Sequence, residues 1–144
     1  MVAIKRNHLN VVRELLNRGA PVNGTIIMHV HNGGATGLML ACDEGHLDIA
    51  REFLERGANV NAAVTETGFT PLICSIRNGH LEILDELCDR GANVNATAID
   101  GSTPLMGAIM RGHVEVVRAL CARGANVNAS NSDGVTALMF SLGM

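Results

Sequence analysis

The 144-residue sequence contains neither tryptophan nor tyrosine and only three phenylalanines, so large aromatic anchors are scarce. Basic charge is not in excess either. The net charge is −3, which removes the phosphate neutralisation that drives nucleic-acid binding, and no nucleic-acid partner is expected. The four cysteines, Cys42, Cys74, Cys88 and Cys121, form no CxxC pair, so neither a zinc module nor a disulfide framework is indicated. Reduced thiols in a cytoplasmic or nuclear protein are the expectation. No eighteen apolar residues run together, and the start, with Lys5, Arg6 and His8, leads into no apolar stretch. Neither a membrane span nor a secretion signal is visible. The glycines form no GxGxxG or phosphate-binding loop, and no nucleophile stands in a recognisable motif with histidine and carboxylate. Neither enzymatic activity nor a cofactor is expected. What the chain does have is 47% apolar residues, chiefly Leu, Val, Ile, Ala and Met, enough for one continuous core in a single domain.

Those residues are arranged in a repeat. The hexapeptide RGAPVN at 18–23 returns as RGANVN at 56–61, 90–95 and 123–128, with Gly19, Gly57, Gly91 and Gly124 spaced 38, 34 and 33 apart. Thr36, Thr70, Thr103 and Thr136 follow at intervals of 34, 33 and 33. Gly-His pairs at 45–46, 79–80 and 112–113 share that phase. Within each unit, Thr70-Pro71 and Thr103-Pro104 read as a helix start, with Thr as N-cap and Pro where no amide donor is needed. A short apolar helix runs to Gly112, a residue that turns the chain at little steric cost. The next helix is amphipathic: Val114, Val117, Leu120 and Cys121 share one face, with Glu115, Arg118 and Arg123 on the other. Arg123 is placed in its last turn to complement the helix dipole, with Gly124 as the cap. The Ala-Asn-Val-Asn-Ala stretch that follows reads as a short extended arm and a turn.

TPLI at 70–73, TPLM at 103–106, the Gly-His pairs and the GANVNA segments make nearly the whole chain resemble the ankyrin repeat. The resemblance implies an all-α solenoid, each unit being two antiparallel helices and a hairpin-like finger. The units fall at 1–23 (incomplete), 24–62, 63–96, 97–129 and 130–144 (incomplete). The sequence departs from the family in having Met39, Ile73, Met106 and Met139 where the family usually has histidine. The four threonines must then be satisfied by backbone or water. Gly37 and Ala137 stand where proline is usual, so the helices they begin are expected to be less firmly initiated. Neither end resembles a designed cap. The chain is expected to be part of a longer array or to cover its ends by self-association.

Several side chains have competing readings. A metal ladder of His46, His80 and His113 is disfavoured, because packed helices lie about 8–10 Å apart whereas zinc ligands sit about 2 Å from one ion. A role in the helix-helix turn is expected instead. Cys88 and Cys121, in the places of Leu16 and Leu54, are expected in the core. Glu82, Asp85, Glu86 and Asp89 make one second helix acidic, read as a solvated outer face. By resemblance, Asn61, Asn95 and Asn128 occupy the place modified by asparaginyl hydroxylases, although Asn59, Asn93 and Asn126 stand where Asp is common.

The resemblance also implies a protein partner held by finger tips and the concave ends of first helices. The residues so placed include Glu66, Phe69, Ile99, Asp100 and Asp133 in fingers, and Asp43, Glu44, Arg77, Met110 and Arg111 in first helices. Phe69, Ile99 and Met110 are the apolar members. Each serves either a partner, where burying such a side chain contributes about 1.5–3 kcal/mol, or packing against the neighbouring finger. The first linker is the longest and alternates apolar and polar residues from Ile26 to His31, which reads as an extended finger. His29 and His31 within it are expected to add pH-sensitive recognition. A protein-binding scaffold is the main expectation, and a recognition or targeting segment of a larger enzyme, such as a ubiquitin ligase or kinase, the alternative.

Overall fold

The computed structural model describes residues 1–28 and 31–143, excepting the side chains of 26–28 and 31–33. Helices come in pairs: α1 (Val2–Lys5) with α2 (Leu9–Asn17), α3 (Gly37–Glu44) with α4 (Leu47–Glu55), α5 (Pro71–Ile76) with α6 (Leu81–Asp89), and α7 (Pro104–Met110) with α8 (Val114–Ala122). Then comes α9 (Ala137–Ser141), the last helix among the described residues. The first helices, α1, α3, α5, α7 and α9, touch one another in sequence, and so do the second helices, α2, α4, α6 and α8. The result is the stacked helical architecture that the period predicts.

Each first helix of this period starts on its threonine. The hydroxyls of Thr36, Thr70, Thr103 and Thr136 accept from the backbone N–H of Met39, Ile73, Met106 and Met139 at 3.2, 3.3, 3.3 and 3.4 Å. This satisfies one of the donors that every helix start leaves open. In α3 and α7 the methionine replies: the N–H groups of Thr36 and Thr103 donate to Met39 Sδ and Met106 Sδ, both at 3.4 Å. A thioether is a weak acceptor, yet it stands where the family has histidine.

The lack of proline does not shorten α3, which keeps its threonine cap and spans eight residues against six in α5. Gly37 has a packing reason. A Cβ there would fall 2.4 Å from Cζ of Phe53, whose ring in α4 fills the space. In the next two pairs the corresponding residues are Pro71 with Leu87 and Pro104 with Leu120. Bulk is exchanged across each helix pair.

The turn between paired helices needs a left-handed residue. Gly45, Gly79 and Gly112 supply it at φ of 80°, 73° and 70°, and Asn7 takes the equivalent place at 54°. Asparagine is among the few non-glycine residues that visit this region routinely. The histidine that follows packs backwards. The His80 ring lies where a Cβ on Gly45 would be, and the His113 ring does the same at Gly79. His80 Nε2 donates to the carbonyl of Asp43 at 3.2 Å. The histidines thus serve the turn and tie it to the preceding repeat.

Second helices end one residue earlier than the sequence suggests. Arg18, Arg56, Arg90 and Arg123 are the C-cap residues themselves rather than members of the last turn. Their side chains turn to carboxylates on the helices. Arg56 Nε meets Glu52 at 2.6 Å, and Arg13 of α2 reaches the same carboxylate at 2.9 Å. Arg90 and Arg51 hold Glu86 at 3.1 and 2.8 Å, and Arg123 spans Asp85 and Asp89 at 3.0 and 2.8 Å. The acidic face of α6 is therefore not simply solvated. Three of its four carboxylates join it to its neighbours, because the stack brings Arg51 of α4 and Arg123, the C-cap of α8, alongside.

One apolar core runs from Ile4 and Val12 through Leu38, Leu72 and Leu105 to Ala137. Cys42 and Cys74 lie inside it, and burial pushes both thiols up, Cys74 to about 12. Cys88 is half-buried against the core, but Cys121 is exposed, contrary to the sequence expectation. The reason is positional: α6 covers Leu54 and α8 covers Cys88, whereas no second helix lies beyond α8 among the described residues.

The first finger is a hairpin of β1 (Thr25–Met28) and β2 (His31–Thr36), antiparallel, pairing Thr25 with Thr36 and Ile26 with Ala35. Later fingers are tight turns closed by Val64 N–H to Phe69 O, Ala98 N–H to Ser102 O and Asn131 N–H to Val135 O, at 2.9, 2.9 and 3.0 Å. At their base runs a ladder of asparagines. Asn23, Asn61 and Asn95 each accept, through Oδ1, the backbone N–H of Asn59, Asn93 and Asn126 in the next repeat, all at 2.8 Å. Asn61 and Asn95 also donate through Nδ2 to the carbonyls of Gly91 and Gly124, at 3.0 and 3.3 Å.

Candidate functional site

The ladder and the stacked first helices place finger residues beside first-helix C-termini. Fingers are linked directly, Ile99 N–H donating to Thr67 O and Ser132 N–H to Asp100 O, both at 2.9 Å. Between α5, α7 and the finger that joins α6 to α7 lies an open groove of about 210 Å³. Its wall contains Phe69, Arg77, Asp100, Met110 and Arg111, five residues singled out from the sequence.

Each of the five is held differently. Phe69 is half-buried against the core, and part of it lines the groove. The Arg77 guanidinium sits 5.9 Å from its ring centroid, within cation–π range. Arg77 also lies 3.3 Å from Asp43 Oδ1 in the preceding first helix, which fixes its stem along the rim. Phe69 and Arg77 together separate this groove from a smaller hollow of about 40 Å³ that reaches Asp43, Met39 and Val64. Asp100 is oriented by its own finger: its carboxylate oxygens accept from Ser102 N–H and Oγ–H at 2.9 Å each. Met110 is 64% exposed at the end of α7, and Arg111, its C-cap, is exposed beside it.

The remaining selections lie elsewhere. Ile99 is 72% exposed, the most open of the large apolar side chains among the described residues, but it is not part of the groove wall. Glu66 and Asp133 are exposed in separate fingers, and Glu44 is exposed at the end of α3, 3.9 Å from Lys5. His29 and the side chain of His31 lie outside the described residues.

Sequence reading missed the groove's floor. Ile73, Ile76, Pro104 and Gly107 form it. Ile73 had been noticed only for replacing a histidine. Gly107 carried a signal in its column: the equivalent places in the neighbouring first helices hold Leu40, Cys74 and Phe140. The wall thus combines an apolar floor with two guanidiniums and a carboxylate. Among the described residues no group of three or more His, Cys, Asp or Glu could hold a metal ion. None of the helices among the described residues is long and apolar enough to cross a membrane.

Comparison with known families gives two matches. A model of ankyrin repeats in three copies covers residues 1–98, and a model of a single ankyrin repeat covers residues 100–132. No curated protein matches the chain.

Proposed function

We propose that this chain, which belongs to the ankyrin-repeat family, is a non-catalytic scaffold that binds a protein partner through its first-helix ends and finger tips. Ankyrin repeats are in general protein-protein interaction modules. The observation that supports the reading here is the groove between α5 and α7, where Phe69, Arg77, Asp100, Met110 and Arg111 lie around an apolar floor. The opposite row of helices offers less, since its charged side chains are largely occupied in joining neighbours. Four free cysteines, two of them sealed in the core, suit a reducing compartment, the cytoplasm or nucleus.

Site-specific photo-crosslinking tests the reading. A benzoylphenylalanine placed at Met110 is expected to join the chain to its partner in cell extract, whereas the same group at Arg118, exposed on α8, is not. Equal capture from both positions, or capture from Arg118 alone, would falsify the assignment of the binding face.

A further inference from the structure

The groove owes its open floor to Gly107. Leucine and cysteine occupy the equivalent places in α3 and α5, and there both Leu40 and Cys74 are buried. A Cβ on Gly107 would meet only Ile76 Cγ2, at 4.0 Å, so no neighbouring atom forces the choice of glycine. Glycine is among the poorest residues for a helix interior. Its presence there weakens α7 without a packing reason, and what it leaves is space. That space is bounded by Ile73, Ile76, Pro104 and Met110. The whole groove, of which this apolar stretch is one part, measures about 210 Å³ and opens to solvent.

The rim is asymmetric in charge. α5 and α7 end at Arg77 and Arg111, both on the groove. Arg77 shares its charge with Asp43, and Asp100 at the finger end is engaged by Ser102. The Arg111 guanidinium has neither ion pair nor hydrogen bond among the described residues, and it is exposed. Asp100 keeps its negative charge, since Ser102 donates hydrogen bonds but carries no charge; the positive charge without an ionic partner among the described residues is local to Arg111, beside the most adaptable wall residue, Met110.

We propose that the hollow over Gly107 is a socket for one bulky apolar side chain of a partner peptide, with an adjacent Asp or Glu whose carboxylate meets Arg111. The proposal rests on the scaffold reading above and specifies what the scaffold takes. An apolar side chain supplies affinity by leaving water, and a guanidinium-carboxylate pair sets the direction in which the peptide lies.

Selection from a phage-displayed random peptide library on the immobilised full chain provides the test. Enriched peptides should pair Leu, Phe or Met with a neighbouring acid. Gly107→Leu, which refills the socket as Leu40 does in α3, should weaken them by roughly tenfold or more. Gly107→Ala should weaken them less, and Arg111→Glu should shift the selected neighbour from acidic to basic. Melting curves of all three variants establish that they fold; should Gly107→Leu fail to, Gly107→Ala and Arg111→Glu decide. Enriched peptides indifferent to all three substitutions, or carrying a basic neighbour on the unaltered chain, overturn the socket and leave the scaffold reading in place. A library that yields no specific binder also overturns the socket, and crosslinking from Met110 then decides the scaffold reading by itself.

Discussion

Along the row of first helices, Leu38, Leu72 and Leu105 are sealed between neighbours, threonines cap their own helices, and only the helix ends are joined by charge, through Arg77–Asp43 and Lys5–Glu44 among the described residues. Along the row of second helices, α4, α6 and α8 bury Ile49, Ile83, Leu87, Val116 and Leu120 inward, but their outer edges are laced by arginines reaching carboxylates one repeat away. The same repeats are thus joined by two chemistries. Where joining is apolar and internal, the rim of the row is released to vary, and the groove lies there. Where charged side chains hold the junction, they are committed to it.

The difference predicts unequal responses to substitution. Leu72→Ala, which empties a fully buried place in α5, is expected to lower the unfolding free energy by about 2–5 kcal/mol in denaturant titration. Gly37→Ala forces a methyl into the Phe53 ring and should cost about 1–3 kcal/mol. Pairing it with Phe53→Leu, the combination of small ring-side residue and larger helix start found in the neighbouring pairs, should restore most of that loss. Absence of rescue would mean that the exchange of bulk is not what holds this pair. Glu52→Gln should cost about 1–2 kcal/mol, since it leaves Arg13 and Arg56 without a carboxylate at a buried position. The equivalent change at Glu115, whose pairing with Arg118 is exposed, should cost under about 0.5 kcal/mol.

Acid sharpens the same contrast. Hydrogen bonds from Arg56 and Arg13 hold the Glu52 carboxylate below the usual glutamate range. Its contribution is therefore complete above the unfolded-chain value of about 4.3 and is lost as the pH falls through the lower folded-state value. The difference in stability between the parent chain and Glu52→Gln should shrink over that interval.

The period, the threonine caps and the glycine turns were legible because each is local: a few adjacent residues determine them, and repetition confirmed the phase. The links that decide packing are not local. Arg13 and Glu52 are 39 positions apart, and Arg51 and Glu86 are 35 apart, so nothing in either neighbourhood announces the pair. Phe53 and Gly37 belong to different helices, and only their meeting explains why proline is missing. Cys121 was misread because its column mates are covered by a following helix, a property of position in the stack and not of sequence. At the groove, the rim consists of charged and apolar residues that the sequence places at family positions, while its floor depends on a residue that has no side chain.

The asparagine ladder has a consequence for the history of such a chain. Asn61 offers Asn93 the same acceptor, at the same 2.8 Å, that Asn95 offers Asn126. At this bond the junctions match, and a unit cut out or copied in at equivalent points presents the same asparagine partner on both sides. Length can then change by duplication or deletion of whole units without inventing a new interface, leaving selection free to act on what each added segment displays.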